Sequence, residues 1–106
     1  MKNLNEMLKK AKELQKKMEE VDQELSNMQI EGEAGGGLVK AVVSGKLEIL
    51  SVTISPEAIS SGDKEVLEDL IVVAVKDAQE KAKEIVQEKF ASMGLAGGFP
   101  GLGPMN

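Results

Sequence analysis

At 106 residues the chain is long enough for one hydrophobic core and too short for two independently stable ones. It has no Cys and no His, which excludes disulfides, thiolate chemistry, Cys-based zinc sites and Ser-His or Cys-His catalysis; with no Trp or Tyr and only two Phe, Phe90 and Phe99, its core must be aliphatic and rich in methionine. Thirteen Lys and no Arg stand against 18 acidic residues, a net charge of -5.

The remaining chemical groups (Lys, Asp, Glu, Ser and Thr) need a well-defined pocket to do catalysis, and a chain this small is poorly suited to build one alone. The expectation is a protein with no enzymatic activity, cofactor, metal or small-molecule substrate. Met1 to Lys10 interleave charges with apolar residues and contain no continuous apolar run of the signal-peptide type. Nothing approaches the roughly 20 apolar residues of a membrane span, so a cytoplasmic location without a membrane partner is expected.

The first element is written in heptads. Leu4, Ala11, Met18 and Leu25 fall seven apart, and Met7, Leu14, Val21 and Met28 form a second series three residues on, as at the a and d positions of a coiled-coil seam. About residues 2–26 lack Gly and Pro, and Glu6 with Lys10 and Glu13 with Lys17 are i,i+4 pairs in the favourable orientation. A long amino-terminal helix is predicted. The period then changes to two: Met28, Ile30 and Ala34 alternate with Gln29, Glu31 and Glu33 through Gly32, which predicts a strand with one wet face, broken by Gly35-Gly36-Gly37.

Leu38 to Ser44 is rich in Val, and Lys46 to Ser55 sets Leu50, Val52 and Ile54 on one face, so two further strands flank a turn at Ser44-Gly45-Lys46. The short connections predict an antiparallel three-stranded meander. A nucleotide-binding role for the triglycine is disfavoured, because a strand follows it where a phosphate loop needs a helix; a tight turn or a close approach suits it better.

Ser55-Pro56-Glu57 has the form of a helix start, soon interrupted at Ser60-Ser61-Gly62, which reads as a short turn. Asp63 is a plausible N-cap for a long carboxyl-terminal helix running to about Met93, and its almost wholly apolar beginning, Val66 to Val75, is expected to be buried nearly all round. Residues 1–93 thus form a single α+β domain: long N-terminal helix, three-stranded antiparallel sheet, long C-terminal helix. Residues 94–106 hold five Gly and two Pro and show no period that fixes them in a core, so they are read as a flexible Gly/Pro-rich tail whose apolar residues offer a docking strip.

A 25-residue helix is about 37 Å long, against about 23 Å for a seven-residue strand. The first helix must overhang the sheet, and its continuing seam calls for a second helix from the same chain or from another copy; a two-fold homodimer is the simplest arrangement.

Three segments carry a resemblance. Gly35-Gly36-Gly37-Leu38-Val39-Lys40, then Ser55-Pro56-Glu57, then Leu67-Glu68-Asp69-Leu70-Ile71-Val72-Val73-Ala74 look like successive signatures of the YbaB/EbfC family of bacterial nucleoid-associated proteins, in the right order and spacing. The likeness covers almost the whole chain. It implies a homodimer joined through the sheet and second long helix, with helices projecting like the arms of tweezers. Double-stranded DNA is the implied partner, bound by basic residues of the projecting helices, and no catalytic activity or cofactor is implied.

Charge distribution supplies the candidate site. Residues 1–18 hold Lys2, Lys9, Lys10, Lys12, Lys16 and Lys17 against Glu6 and Glu13, a net of +4 in a chain that is otherwise strongly negative. Lys2, Lys9 and Lys16 take successive f positions with Lys10 and Lys17 at g, a stripe on the side away from the seam; such lysines can also serve only to solubilise a coiled-coil helix. Without Arg, bidentate reading of guanine is absent and low sequence specificity is expected. The competing reading is an acidic protein-interaction module that grips a protein partner with its paired helices and carboxyl tail.

Overall fold

A computed structural model describes residues 3–92, so the expectations for Lys2, Met93 and the 94–106 tail lie outside the described residues. Helix α1 (Asn3–Asn27) is free of Gly and Pro and contains a single β-branched residue, Val21, so little opposes helical backbone along it. It is followed by β1 (Ile30–Ala34), β2 (Val39–Val43), β3 (Ile49–Ile54), the short helix α2 (Pro56–Ser60) and α3 (Lys64–Ser92). The three strands form an antiparallel sheet in the order β1-β2-β3, the expected meander.

The connections show why the strands are shorter than their sequence patterns. Gly35, Gly36 and Gly37 all have positive φ (63°, 66° and 96°), a backbone region that glycine enters without steric cost, so the triglycine is a tight turn. Between β2 and β3 the turn extends to Leu47, which takes φ 69°, unusual for a residue with a side chain. The buried Ser44 hydroxyl holds this turn by accepting the Lys46 and Glu48 N–H groups. A register shift follows: Ile49, not Leu50, pairs with Val43.

Helix α3 lies across β1 and β2, with Ala74, Ala78 and Ala82 fully buried against Ile30, Ala34, Val39, Ala41 and Val43. The approach is close because of Gly32: a Cβ there would stand 2.6 Å from Ala78 Cα and 2.7 Å from the Ala74 carbonyl oxygen. Small residues on the helix and glycine on the strand bring backbone against backbone, an arrangement any larger side chain opposes. The helix starts as expected, with Asp63 Oδ1 accepting the Val66 N–H at 3.1 Å. Ser55 caps α2 likewise, accepting from Ala58 N–H, with Pro56 at the first helical position.

Asp77 adds a polar tie between α3 and β1. Its carboxylate accepts the Glu33 N–H at 3.0 Å and Lys81 Nζ at 2.9 Å. The backbone hydrogen bond from Glu33, then that from Lys81, hold its pKa below the ordinary carboxylate value, and the same contact raises that of Lys81.

Beyond the sheet, α3 continues to a second cluster in which Val86 and Phe90 pack with Val21 and Leu25 of α1. Burying Phe90 contributes about 1.5–3 kcal/mol. Ion pairs of Lys46 with Asp22 (3.0 Å) and of Lys89 with Glu24 flank this junction, each worth at most about 1 kcal/mol. The Gly45 N–H donates to the Leu25 carbonyl at 2.8 Å, fixing the base of α1 to the β2–β3 turn.

Two expectations need correction. The beginning of α3 is not buried all round: Val66, Val72 and Val73 are about half exposed, because the helix covers β1 and β2 and leaves β3 open. The heptad seam of α1 is also only half used. Val21 is buried and Leu25 packs beside it, but Leu4, Met7, Leu8 and Leu14 stand in solvent, since α3 runs alongside only the second half of α1.

Candidate nucleic-acid interface

Residues 3–17 of α1 are exposed without exception, so the amino-terminal half of this helix projects as an arm. Lys9, Lys10, Lys12, Lys16 and Lys17 all lie on it, within about 12 Å along the axis. At 100° per residue Lys9, Lys12 and Lys16 occupy the side opposite the seam of Leu4, Met7, Leu14, Val21 and Leu25, while Lys10 and Lys17 lie along its border. Glu6 and Glu13 fall on the same side, and neither of the expected i,i+4 pairs with Lys10 and Lys17 is formed. Lys2, the sixth residue of the candidate set, lies outside the described residues.

The second half of α1 has the opposite charge. Glu19, Glu20, Asp22 and Glu24 follow Met18 without an intervening lysine, and two of them are engaged, Asp22 by Lys46 and Glu24 by Lys89. Charge is thus segregated along one helix: basic at the projecting end, acidic at the base. The amino-terminal end also carries the positive pole of the helix dipole, which favours anions. A phosphate backbone approaching the arm end-on meets lysines and dipole of one sign, whereas the rest of the surface repels it.

The sequence model of the YbaB/EbfC DNA-binding family matches residues 1–98. The chain belongs to that family. Among curated YbaB/EbfC relatives, a nucleoid-associated protein of Agrobacterium fabrum is 46% identical over 100 residues, covering 94% of this chain and 92% of its own length. One from Dictyoglomus thermophilum is 46% identical, covering 94% of both chains, and one from Saccharopolyspora erythraea is 43% identical over 102 residues, covering 95% of this chain and 88% of its own. The fold also matches a crystal structure of an uncharacterized protein from Helicobacter pylori at TM-score 0.69 and 17% identity, over 82% of this chain and 91% of that one.

The YbaB/EbfC match runs over residues 1–98 and does not single out the lysines. Among the described residues no helix is long and apolar enough to cross a membrane. What sequence reasoning missed is the group that holds the arm in place: Phe90, Lys46 and Lys89 fix the base of α1 from two other parts of the chain. Phe90 stood out as one of two aromatic residues, but nothing local identified Val21 as its neighbour. The ion pairs join residues 24 and 65 positions apart, beyond the reach of any periodic signal.

Proposed function

We propose that this protein binds duplex DNA without catalysis and with low sequence specificity, as a homodimer presenting two lysine-bearing α1 arms, in the nucleoid of a bacterial cytoplasm. The observation that carries the reading is the gathering of Lys9, Lys10, Lys12, Lys16 and Lys17 on the projecting half of α1, with Lys9, Lys12 and Lys16 on the face opposite its apolar seam. Lys2 extends the same stripe by sequence position. Lysine offers a hydrated point charge to phosphate and little base discrimination, which fits backbone binding.

A second copy is supported by the open flank of the fold. Gln79 Nε2 donates to the Leu47 carbonyl, so the side of α3 bearing Gln79 faces the β2–β3 turn, and Val72, seven residues earlier, lies on that same side. Val72 is 55% exposed, Ile49 56% and Val52 38%, and β3 is an edge strand. An apolar corner joined to an unpaired strand edge is a liability that a two-fold contact removes.

The test is fluorescence-anisotropy titration of two unrelated labelled duplexes at low and near-physiological salt, with wild type and Lys9→Glu/Lys16→Glu. Similar affinity for both duplexes, a steep fall with salt, and loss of binding in the variant are expected. Contact by all ten described arm lysines of a dimer corresponds to a slope of log K against log salt of about -9. Absence of binding even at low salt overturns the proposal and leaves the acidic protein-interaction module, for which the net charge of -5 then speaks.

A further inference from the structure

The exposed half of the α1 seam lies on the side away from Lys9, Lys12 and Lys16, and the DNA reading makes no use of it. Leu4, Met7, Leu8 and Leu14 are 60%, 64%, 56% and 55% exposed, while Val21 and Leu25 on the same helix pack with Val86 and Phe90 of α3. We infer that this half of α1 is a self-association surface: two copies of the chain pair their arms antiparallel through residues 4–14, with the two-fold axis between Leu8 and Lys10.

The heptads set the register. In an antiparallel pair each a position faces a d position of the other helix, so Leu4 meets Leu14 of the second copy and Met7 meets its Ala11. The two-fold repeats both contacts, which gives four layers that use the open seam from end to end. Each layer is filled, leucine on leucine at the ends and the long Met7 over the small Ala11 in the middle. Leu8 stands at an e position beside the a/d line, and in this register the two Leu8 side chains meet each other next to the axis. A parallel pair instead stacks Ala11 on Ala11, which leaves a void, and sets Leu8 against Asn3.

The covered half of the seam also selects the antiparallel direction. A parallel second helix that follows the seam runs on to Val21 and Leu25, into the place that Val86 and Phe90 already fill. In the antiparallel register Asn3 of the second copy comes level with Gln15, short of that junction, and the rest of that copy extends away past Leu4. The four layers are small against the roughly 1,200 Å² of a stable complex, which makes the link reversible and dependent on concentration. Lys10 faces its own counterpart across the axis, a like-charge pair that weakens the link at low salt and is screened as salt rises. Lys9, Lys12 and Lys16 stay on the outside of the pair, and the β3 flank is not involved.

This inference depends neither on the DNA reading nor on a contact at β3, and its test uses no DNA. The chain has no Cys, so single-cysteine variants of the full-length protein report which residues meet between copies. With a short bismaleimide, Leu8→Cys is expected to link two copies several-fold faster than Leu4→Cys or Leu14→Cys alone, whose own counterparts lie about 15 Å away along the helix axis. Leu4→Cys mixed with Leu14→Cys is expected to link as readily as Leu8→Cys. Adding Leu14→Lys to Leu8→Cys is expected to abolish the link while circular dichroism stays unchanged, and adding Lys10→Gln to raise it several-fold at low salt and remove its salt dependence. Leu4→Cys linking to itself as fast as Leu8→Cys, a Leu8→Cys link indifferent to Leu14→Lys, or no link between copies at any protein concentration each overturns the proposal.

Discussion

Gly32 governs how close the sheet and α3 can come, and no other side chain could stand in its place. A β-carbon there overlaps the Ala78 backbone, which belongs to the rigid middle of a 29-residue helix and has no small adjustment open to it. Gly32→Ala is therefore expected to lower stability by about 2 kcal/mol or more, seen as a lower urea midpoint with an unchanged slope. Asp77 acts through charge instead of volume. Because its folded-state pKa lies below the ordinary value of 3.8, its stabilising contribution is complete above that pH and is lost as pH falls through the lower folded value. Asp77→Asn removes this dependence: the gap in urea midpoint between wild type and variant should be widest near neutrality and close as the pH drops below the carboxylate range. Lys81 has the opposite sign, contributing below its ordinary value of 10.5 and losing its part only above its raised one.

At the scale of elements, α1 and α3 are each two different helices joined end to end. The second half of α1 is held by Val86 and Phe90, by Gly45 and by two ion pairs; the first half carries lysines and stands free of α3. Phe90→Ala is expected to cost about 3–5 kcal/mol and to loosen α1 from α3, measured as denaturation together with faster amide exchange at residues 18–25. In α3 the division falls around the sides as well as along the length: Ala74, Ala78 and Ala82 pack on the sheet while Val66, Val72 and Val73 face outward. Val72→Glu should leave the fold intact, because the position is exposed in the single chain, yet halve the mass seen by sedimentation if the β3 flank is the dimer contact. An unchanged mass would place the contact elsewhere.

For the whole molecule, segregation of charge outweighs its total. A protein of net charge -5 is a poor ligand for phosphate if its charge is spread evenly, and a workable one if its lysines sit on a projection whose acidic base is already partly neutralised by Lys46 and Lys89. The structure spans 72 × 25 × 19 Å, so the arm reaches well beyond the sheet. Lys9→Glu/Lys16→Glu is expected to weaken binding to unrelated duplexes alike and to flatten the salt dependence, since the charges removed contribute without regard to sequence.

The amino-acid sequence by itself determined the order and type of every long element, because each writes its period locally: heptads in α1, alternation in the strands, caps at Ser55 and Asp63, and glycines where the backbone must turn left-handed. It also located the six candidate lysines, and the motifs that carry the family likeness. Tertiary structure alone decided which apolar residues are covered. The seam of α1 and the start of α3 look uniformly core-like in sequence, yet α3 lies over two strands and alongside only half of α1, and that placement follows from Gly32 meeting Ala78 and from Phe90 meeting Val21. Such contacts join residues far apart in the chain. Periodicity records which face of an element is apolar, but the partner that covers it is fixed only when the elements pack.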